Sequence, residues 1–251
     1  MHHWVFAALG VALVSFSSGL ALGAAERVVD LGHPLSASDP SWDGEGFERT
    51  PVGSIEADGA AMGKFAADEH FGTHVDAPSH FVSGGWSVDQ IPVDRLVRPA
   101  VCLNVETQVE KNEDYRLSLE DVKRFEAKQG LIPEGSLVLV ATGWDRRWKA
   151  PHRYMNRRDG VLHFPGISVE AASYLAKVRK IVGIGIDTPS VDYGPSQHFE
   201  THRTTLPENL YHIENAARLT ELPPKGFTVV VAPIYLAGGT GGPARVFALL
   251  P

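Results

Sequence analysis

The chain has 251 residues, with 23 Lys and Arg against 30 Asp and Glu, a formal net charge of −7 at pH 7, and 43% hydrophobic and 21% charged residues. This is the composition of an ordinary globular protein, and an acidic balance with no Lys/Arg run argues against nucleic acid as a partner. The single cysteine, Cys102, excludes an internal disulfide.

Residues 1–25 read as a secretory signal peptide. An apolar run from Val5 to Leu22 is softened by Ser15, Ser17 and Ser18, and the small residues of L-G-A-A-E suit cleavage after Ala24 or Ala25. The expected location is periplasmic or secreted, with no stable membrane association once the leader is removed. Retention as an anchor is the alternative, because M-H-H-W carries no Lys or Arg and about 18 apolar residues can just span a bilayer. A lipoprotein is excluded by the distance of Cys102 from the leader. Residues 26–251 then suit one domain with a substantial core.

Along that domain, β-branched and aliphatic runs bounded by turn residues predict strands at Arg27–Leu31, Ala100–Val105, Ser136–Ala141, Ile181–Ile186 and Thr228–Pro233. Cys102 packs as a small apolar residue in the second of these. Helices are expected at Leu119–Gln129, with Ser118 as N-cap and Gly130 as stop, and at Val169–Lys177 after Ser168. A third is expected over part of Leu206–Leu219. The alternation predicts an α/β or α+β domain with a mixed sheet.

His70, His74, Asp76 and His80 fall within the eleven residues H-F-G-T-H-V-D-A-P-S-H. Imidazoles and a carboxylate with no cation among them form a set of metal ligands with a base beside them. The four positions share parity, so an extended segment would present them on one face; on a helix, position 76 would sit roughly 200 degrees from 74. Gly72 and Pro78 also argue for an extended or irregular stretch. A strand leading into a loop over a metal is the expectation, against the bland alternative of histidines gathered by chance.

The same eleven residues match H-x-G-T-H-x-D-x-P-x-H, and the chain thereby resembles the cyclase family of metal-dependent hydrolases, which contains bacterial kynurenine formamidases and isatin hydrolases. His202 and Glu214, twelve residues apart, resemble the pair that completes a two-metal site in the formamidases. I-Y-L-A-G-G-T-G-G-P-A-R-V-F-A resembles the close of the isatin hydrolase branch, and with V-D-L-G-H-P-L-S the likeness spans nearly all of the mature chain. The resemblance implies a swivelling β/β/α domain and one or two divalent ions, Mn or Zn, on His70, His74, Asp76, His202 and Glu214. It implies a bridging role for Asp76 in a two-metal site, hydrogen bonding of His202 and Glu214 with the reacting water in a single-metal one, and a homodimer.

In such a site His80 takes a proton from water and returns it to the departing nitrogen, general acid/base work worth about a hundredfold to ten-thousandfold. A fourth ligand or an orienting group is the alternative role for His80. His198 stands four residues before His202 and reads as surface or pocket wall; His33, His152, His163 and His212 match no motif position and default to ordinary hydrogen-bonded roles.

Phe71, Phe81, Trp86 and Trp42 are candidate flat walls for an aromatic substrate, with a core role as the alternative. Trp144 reads as structural. Gly238–Pro243 lacks the Lys and following helix of a phosphate loop and is expected to form a tight turn bringing Thr240 near the substrate. Three functions are compatible with these residues: hydrolysis of a cyclic aryl amide such as isatin, arylformamidase action on N-formylkynurenine, and metal binding without catalysis. A small aromatic amide is the expected partner in the first two. The leader counts against the second, since a cytoplasmic tryptophan pathway would not normally export its enzyme.

Overall fold

Ten strands position everything that follows in the computed structural model, which describes residues 26–42 and 46–251. They are β1 (Arg27–Asp30), β2 (Phe47–Gly53), β3 (Met62–Ala67), β4 (His74–Asp76), β5 (Val97–Asn104), β6 (Leu137–Ala141), β7 (Gly183–Ile186), β8 (Tyr211–Glu214), β9 (Phe227–Pro233) and β10 (Gly241–Leu250). The leader expected at 1–25 lies outside the described residues. No helix among the described residues is long and apolar enough to cross a membrane.

Eight strands form one mixed sheet in the order β1-β10-β9-β5-β6-β7-β8-β4. Neighbours from β5 to β8 run parallel, and the remaining pairs are antiparallel. The sheet closes on itself because β10 is shared: Gly241–Pro243 pairs with β4, while the residues from Phe247 to Leu250 pair with β1. Strands β2 and β3 form a separate antiparallel hairpin whose Val52, Met62 and Phe65 are exposed.

Strand alternation divides the core in two. Ala100, Cys102, Leu137 and Leu139 face inward with Val75, Ile213, Val229 and Val246. Val101, Leu103, Val138, Val140, Ile184 and Ile186 face outward, under helices α1 (Leu119–Gln129) and α2 (Val169–Ser173). Because both faces are covered by apolar groups, the parallel strands β5, β6 and β7 read as aliphatic runs, which is why the sequence reveals them.

Helix α1 begins where Ser118 and Asp121 cap each other's backbone amides and ends at Gly130, φ 87°. Helix α2 starts at its Ser168 cap and continues as a π-helical turn over Tyr174–Val178, so the expected Val169–Lys177 helix is present in two geometries.

The helix expected within Leu206–Leu219 is not formed. Helix α3 (Glu200–Thr205) precedes it, Leu206–Glu208 makes only a 3-10 turn with Pro207 in its first turn, and Asn209 turns left-handed at φ 57°. The chain then becomes β8, all four of whose residues are buried. Y-H-I-E alternates apolar and polar residues, but all four are buried, so the alternation does not separate core from solvent. The long strand β10 replaces the turn expected across Gly238–Pro243 from Gly241 onward.

Candidate metal centre

Strands β4 and β8 lie antiparallel with His74 opposite Glu214, Val75 opposite Ile213 and Asp76 opposite His212. Val75 and Ile213 point into the inner core, so pleating sends His74, Asp76, His212 and Glu214 to the outer face together. Helix α3 lies over that face and adds His202. Its free amides are held by Asp192, whose carboxylate accepts from Thr201 N at 2.7 Å and His202 N at 3.2 Å.

The remaining histidines come from irregular backbone on either side of β4. His70 precedes Gly72, which takes φ 64°, the left-handed region that favours glycine. His80 closes the 3-10 turn Pro78–His80. The shared parity of the four motif positions therefore holds as strand geometry only for His74 and Asp76. A turn and a 3-10 turn bring the other two alongside.

Four imidazoles are anchored in one way. His70 Nε2 meets Thr240 Oγ1 at 3.1 Å, and that hydroxyl gives its own proton to Glu69 Oε2, so it accepts from His70. His74 Nδ1 donates to the Gly72 carbonyl at 2.9 Å. His202 Nδ1 donates to Asp192 Oδ2 at 2.6 Å. His212 Nε2 lies 2.7 Å from Thr205 Oγ1, whose proton goes to Thr201 O, so His212 is again the donor. In each case the second ring nitrogen faces the carboxylates.

His70 Nδ1 is 2.6 Å and His74 Nε2 3.1 Å from Asp76 Oδ1. His202 Nε2 is 3.1 Å and His212 Nδ1 3.6 Å from Asp76 Oδ2. Glu214 stands 3.4 Å from His202 Nε2 and 3.5 Å from His74 Nε2, with Oε1 fixed by the Val191 amide.

Two of these buried nitrogens, His74 Nε2 and His212 Nδ1, have no hydrogen-bond partner. An anchored imidazole aiming its other nitrogen at a carboxylate is the arrangement that orients metal ligands, and the donor set of imidazoles and carboxylates suits a divalent ion. The residues fit the group.

Electrostatics agree. Burial lowers the pKa of His74 and His202, but the neighbouring carboxylates outweigh it and push both up to about 10. Burial likewise disfavours charge on Asp76, yet His74 and hydrogen bonds from His202 and His70 hold it well below the usual carboxylate range. The cluster attracts cations, and protons and metal ions compete for the same nitrogens.

His70, His74, Asp76, His80, His202 and Glu214 thus converge as the sequence leads one to expect, and Thr240 joins them through His70. Phe81 also reaches the site, its ring 4.8 Å from His202 and 5.7 Å from Phe199. Phe71 is buried against Phe47 at 5.9 Å, Trp86 lies under Arg95, and half-open Trp42 packs edge-on to Phe164. His198 is exposed, just before α3.

His212 requires a correction: it is a member of the cluster rather than an ordinary hydrogen-bonded histidine. Asp192 was also missed. Y-H-I-E gave the one available signal, since residues two apart on a strand share a face with Glu214.

A family model described as "Putative cyclase" matches residues 29–193. An isatin hydrolase from Roseibium aggregatum is 32% identical over 192 residues, covering 73% of this chain and 72% of that protein. A kynurenine formamidase from Bacillus thuringiensis is 26% identical over 221 residues, covering 86% and 94%. The solved structure of isatin hydrolase A from Labrenzia aggregata, bound to benzyl benzoate, superposes with a TM-score of 0.84 at 32% identity, covering 89% and 93%.

The chain belongs to the cyclase family. Within it, this is an enzyme of the metal-dependent hydrolase class that acts on non-peptide C–N bonds.

Proposed function

We propose that this chain hydrolyses the amide C–N bond of a cyclic aryl amide such as isatin, opening the ring to an amino-aryl acid. The observation that carries the choice of substrate is the likeness to isatin hydrolases in both sequence and fold. His70, His74 and Asp76 would hold a divalent ion, which would supply Lewis acidity toward the carbonyl and toward water. Mn and Zn both accept this N/O donor set.

His80 is the general base. Its ring lies 3.9 Å from that of His70, beside the partly exposed end of the donor set. Burial pushes its pKa down to about 4 against the pull of Asp76, with His70, His202 and His74 adding to the fall. The imidazole is therefore neutral at pH 7. It takes a proton as water attacks the carbonyl carbon, and delivers it to the ring nitrogen as the C–N bond breaks. Phe81, tilted 32° against His202, offers a flat wall to an aryl ring.

The alternative is an arylformamidase acting on N-formylkynurenine, favoured by the 94% coverage of the formamidase and the His202–Glu214 pair. The reading extends to a single domain over 26–251, a periplasmic or secreted location through the leader, and a homodimer; the apolar residues exposed on the β2–β3 hairpin support a covered surface there. The test is turnover of isatin against N-formylkynurenine by chelated protein resupplied with Mn or Zn. Metal-dependent ring opening of isatin is expected. Preferential cleavage of the formamide moves the chain to the alternative, and silence on both overturns each.

A further inference from the structure

We propose that His212 is the fourth ligand of the second ion that the family resemblance places on Asp76, His202 and Glu214, and that this ion is closed and non-catalytic. This rests on the reading of the cluster as a hydrolase's metal centre and says how its donors divide.

Asp76 presents its two oxygens to two different sets. Oδ2 faces His202 Nε2 at 3.1 Å and His212 Nδ1 at 3.6 Å, and Glu214 Oε1 stands 3.4 Å from that same His202 nitrogen. A tetrahedral ion with bonds of about 2.0–2.1 Å spaces its ligand atoms about 3.3–3.4 Å apart. The observed separations bracket that value. All four side chains are buried, and hydrogen bonding to the Thr205 hydroxyl leaves His212 Nδ1 as the lone-pair nitrogen, with no hydrogen-bond partner.

Four protein ligands fill a tetrahedral ion and leave no position for substrate, the hallmark of a structural site. The opposite set differs on each count. Oδ1 faces His70 and His74, His70 is partly exposed, and His80 stands alongside. Three protein ligands with an accessible side describe a site that keeps a position open. Chemistry therefore belongs to the His70 side. The His212 side locks β4, β8 and α3 together and fixes the shared carboxylate.

The experiment is Mn²⁺ titration of the chelated full chain, followed by calorimetry and by electron paramagnetic resonance. Two Mn²⁺ per chain are expected, in steps at least about tenfold apart in affinity, with an exchange-coupled spectrum as the second fills. His212→Gln is expected to remove the tighter step and leave the weaker one. One Mn²⁺ per wild-type chain, two uncoupled ions, or a His212→Gln protein that binds like wild type would each overturn the proposal. The wild-type spectrum decides the pairing of ions even where the variant fails to fold. Hydrolysis with only the tighter ion bound sinks this inference alone; two coupled ions with neither amide hydrolysed supports it and sinks the hydrolase reading.

Discussion

Asn215 and His74 meet at one atom: both donate to the carbonyl oxygen of Gly72, Asn215 through Nδ2 at 2.7 Å and His74 through Nδ1 at 2.9 Å. Asn215 follows Glu214 directly, holds φ 53°, and is itself oriented by the Tyr154 hydroxyl on Oδ1 at 2.9 Å. The Gly72 carbonyl sets the His74 tautomer, so Asn215 is a positioning residue for a ligand it never touches. Asn215→Gly keeps the left-handed backbone and removes the side chain. Metal affinity is expected to fall by about 10–100-fold, as read by competition with a chelating dye; unchanged affinity would remove Asn215 from this role.

Asp192 serves His202 in the same way while holding the first amides of α3. Asp192→Ala therefore combines loss of a ligand's anchor with loss of helix-start partners. An affinity loss of about 10–100-fold is expected together with a lowered melting temperature. Asp192→Asn, which can still accept from His202 Nδ1, should recover much of both. A stability loss with no change in metal binding would reduce Asp192 to a cap.

His80 contributes no anchored nitrogen to the carboxylates, unlike the other four cluster histidines. His80→Ala is expected to lower kcat by about a hundredfold to ten-thousandfold with metal content unchanged by elemental analysis. Loss of metal along with activity would make it a ligand instead.

The cluster was legible because H-F-G-T-H-V-D-A-P-S-H keeps half of the donors and the base within eleven residues, with a glycine where the backbone turns left-handed. The five strand positions were legible because each is covered on at least one face by aliphatic side chains. What sequence concealed was β8, β10 and the β2–β3 hairpin. In Y-H-I-E the outward residues are the polar site itself, so burial and polarity stop tracking one another. In G-G-P-A the strand is made of turn formers that pair with β4 because nothing larger fits. His212 was lost with β8, since its place becomes visible only once Asp76 is set opposite it.

That close fit gives a prediction at Gly241. A Cβ there would fall 2.5 Å from the Val75 carbonyl and 2.6 Å from His70 Cε1. The first contact is with backbone and forces β10 away from β4; the second forces the His70 imidazole aside. Gly241→Ala is expected to displace His70 and lower kcat and metal affinity together, whereas Gly238→Ala, strained at φ 74° but with open space around it, should cost stability alone. Normal metal binding by Gly241→Ala would show that His70 is not a ligand.

His33 gives the fold a sensitivity to acid. Its ring stacks on Trp148 at 4.0 Å and 2°, Nε2 has no partner, and burial, only partly offset by Asp30, pushes its pKa from 6.5 down to about 4. Below pH 6.5 the unfolded chain binds a proton on His33 that the folded chain refuses until about pH 4. Over that window the unfolded state carries more protons, so stability rises with pH. The contribution is complete above 6.5 and is lost as pH falls toward 4. His33→Phe preserves the stacked ring and abolishes the titration, leaving every other group in common with wild type. The urea midpoint of the variant relative to wild type should therefore climb steadily between pH 7 and pH 4.5; a difference independent of pH would mean that the His33 ring is solvated in the folded chain.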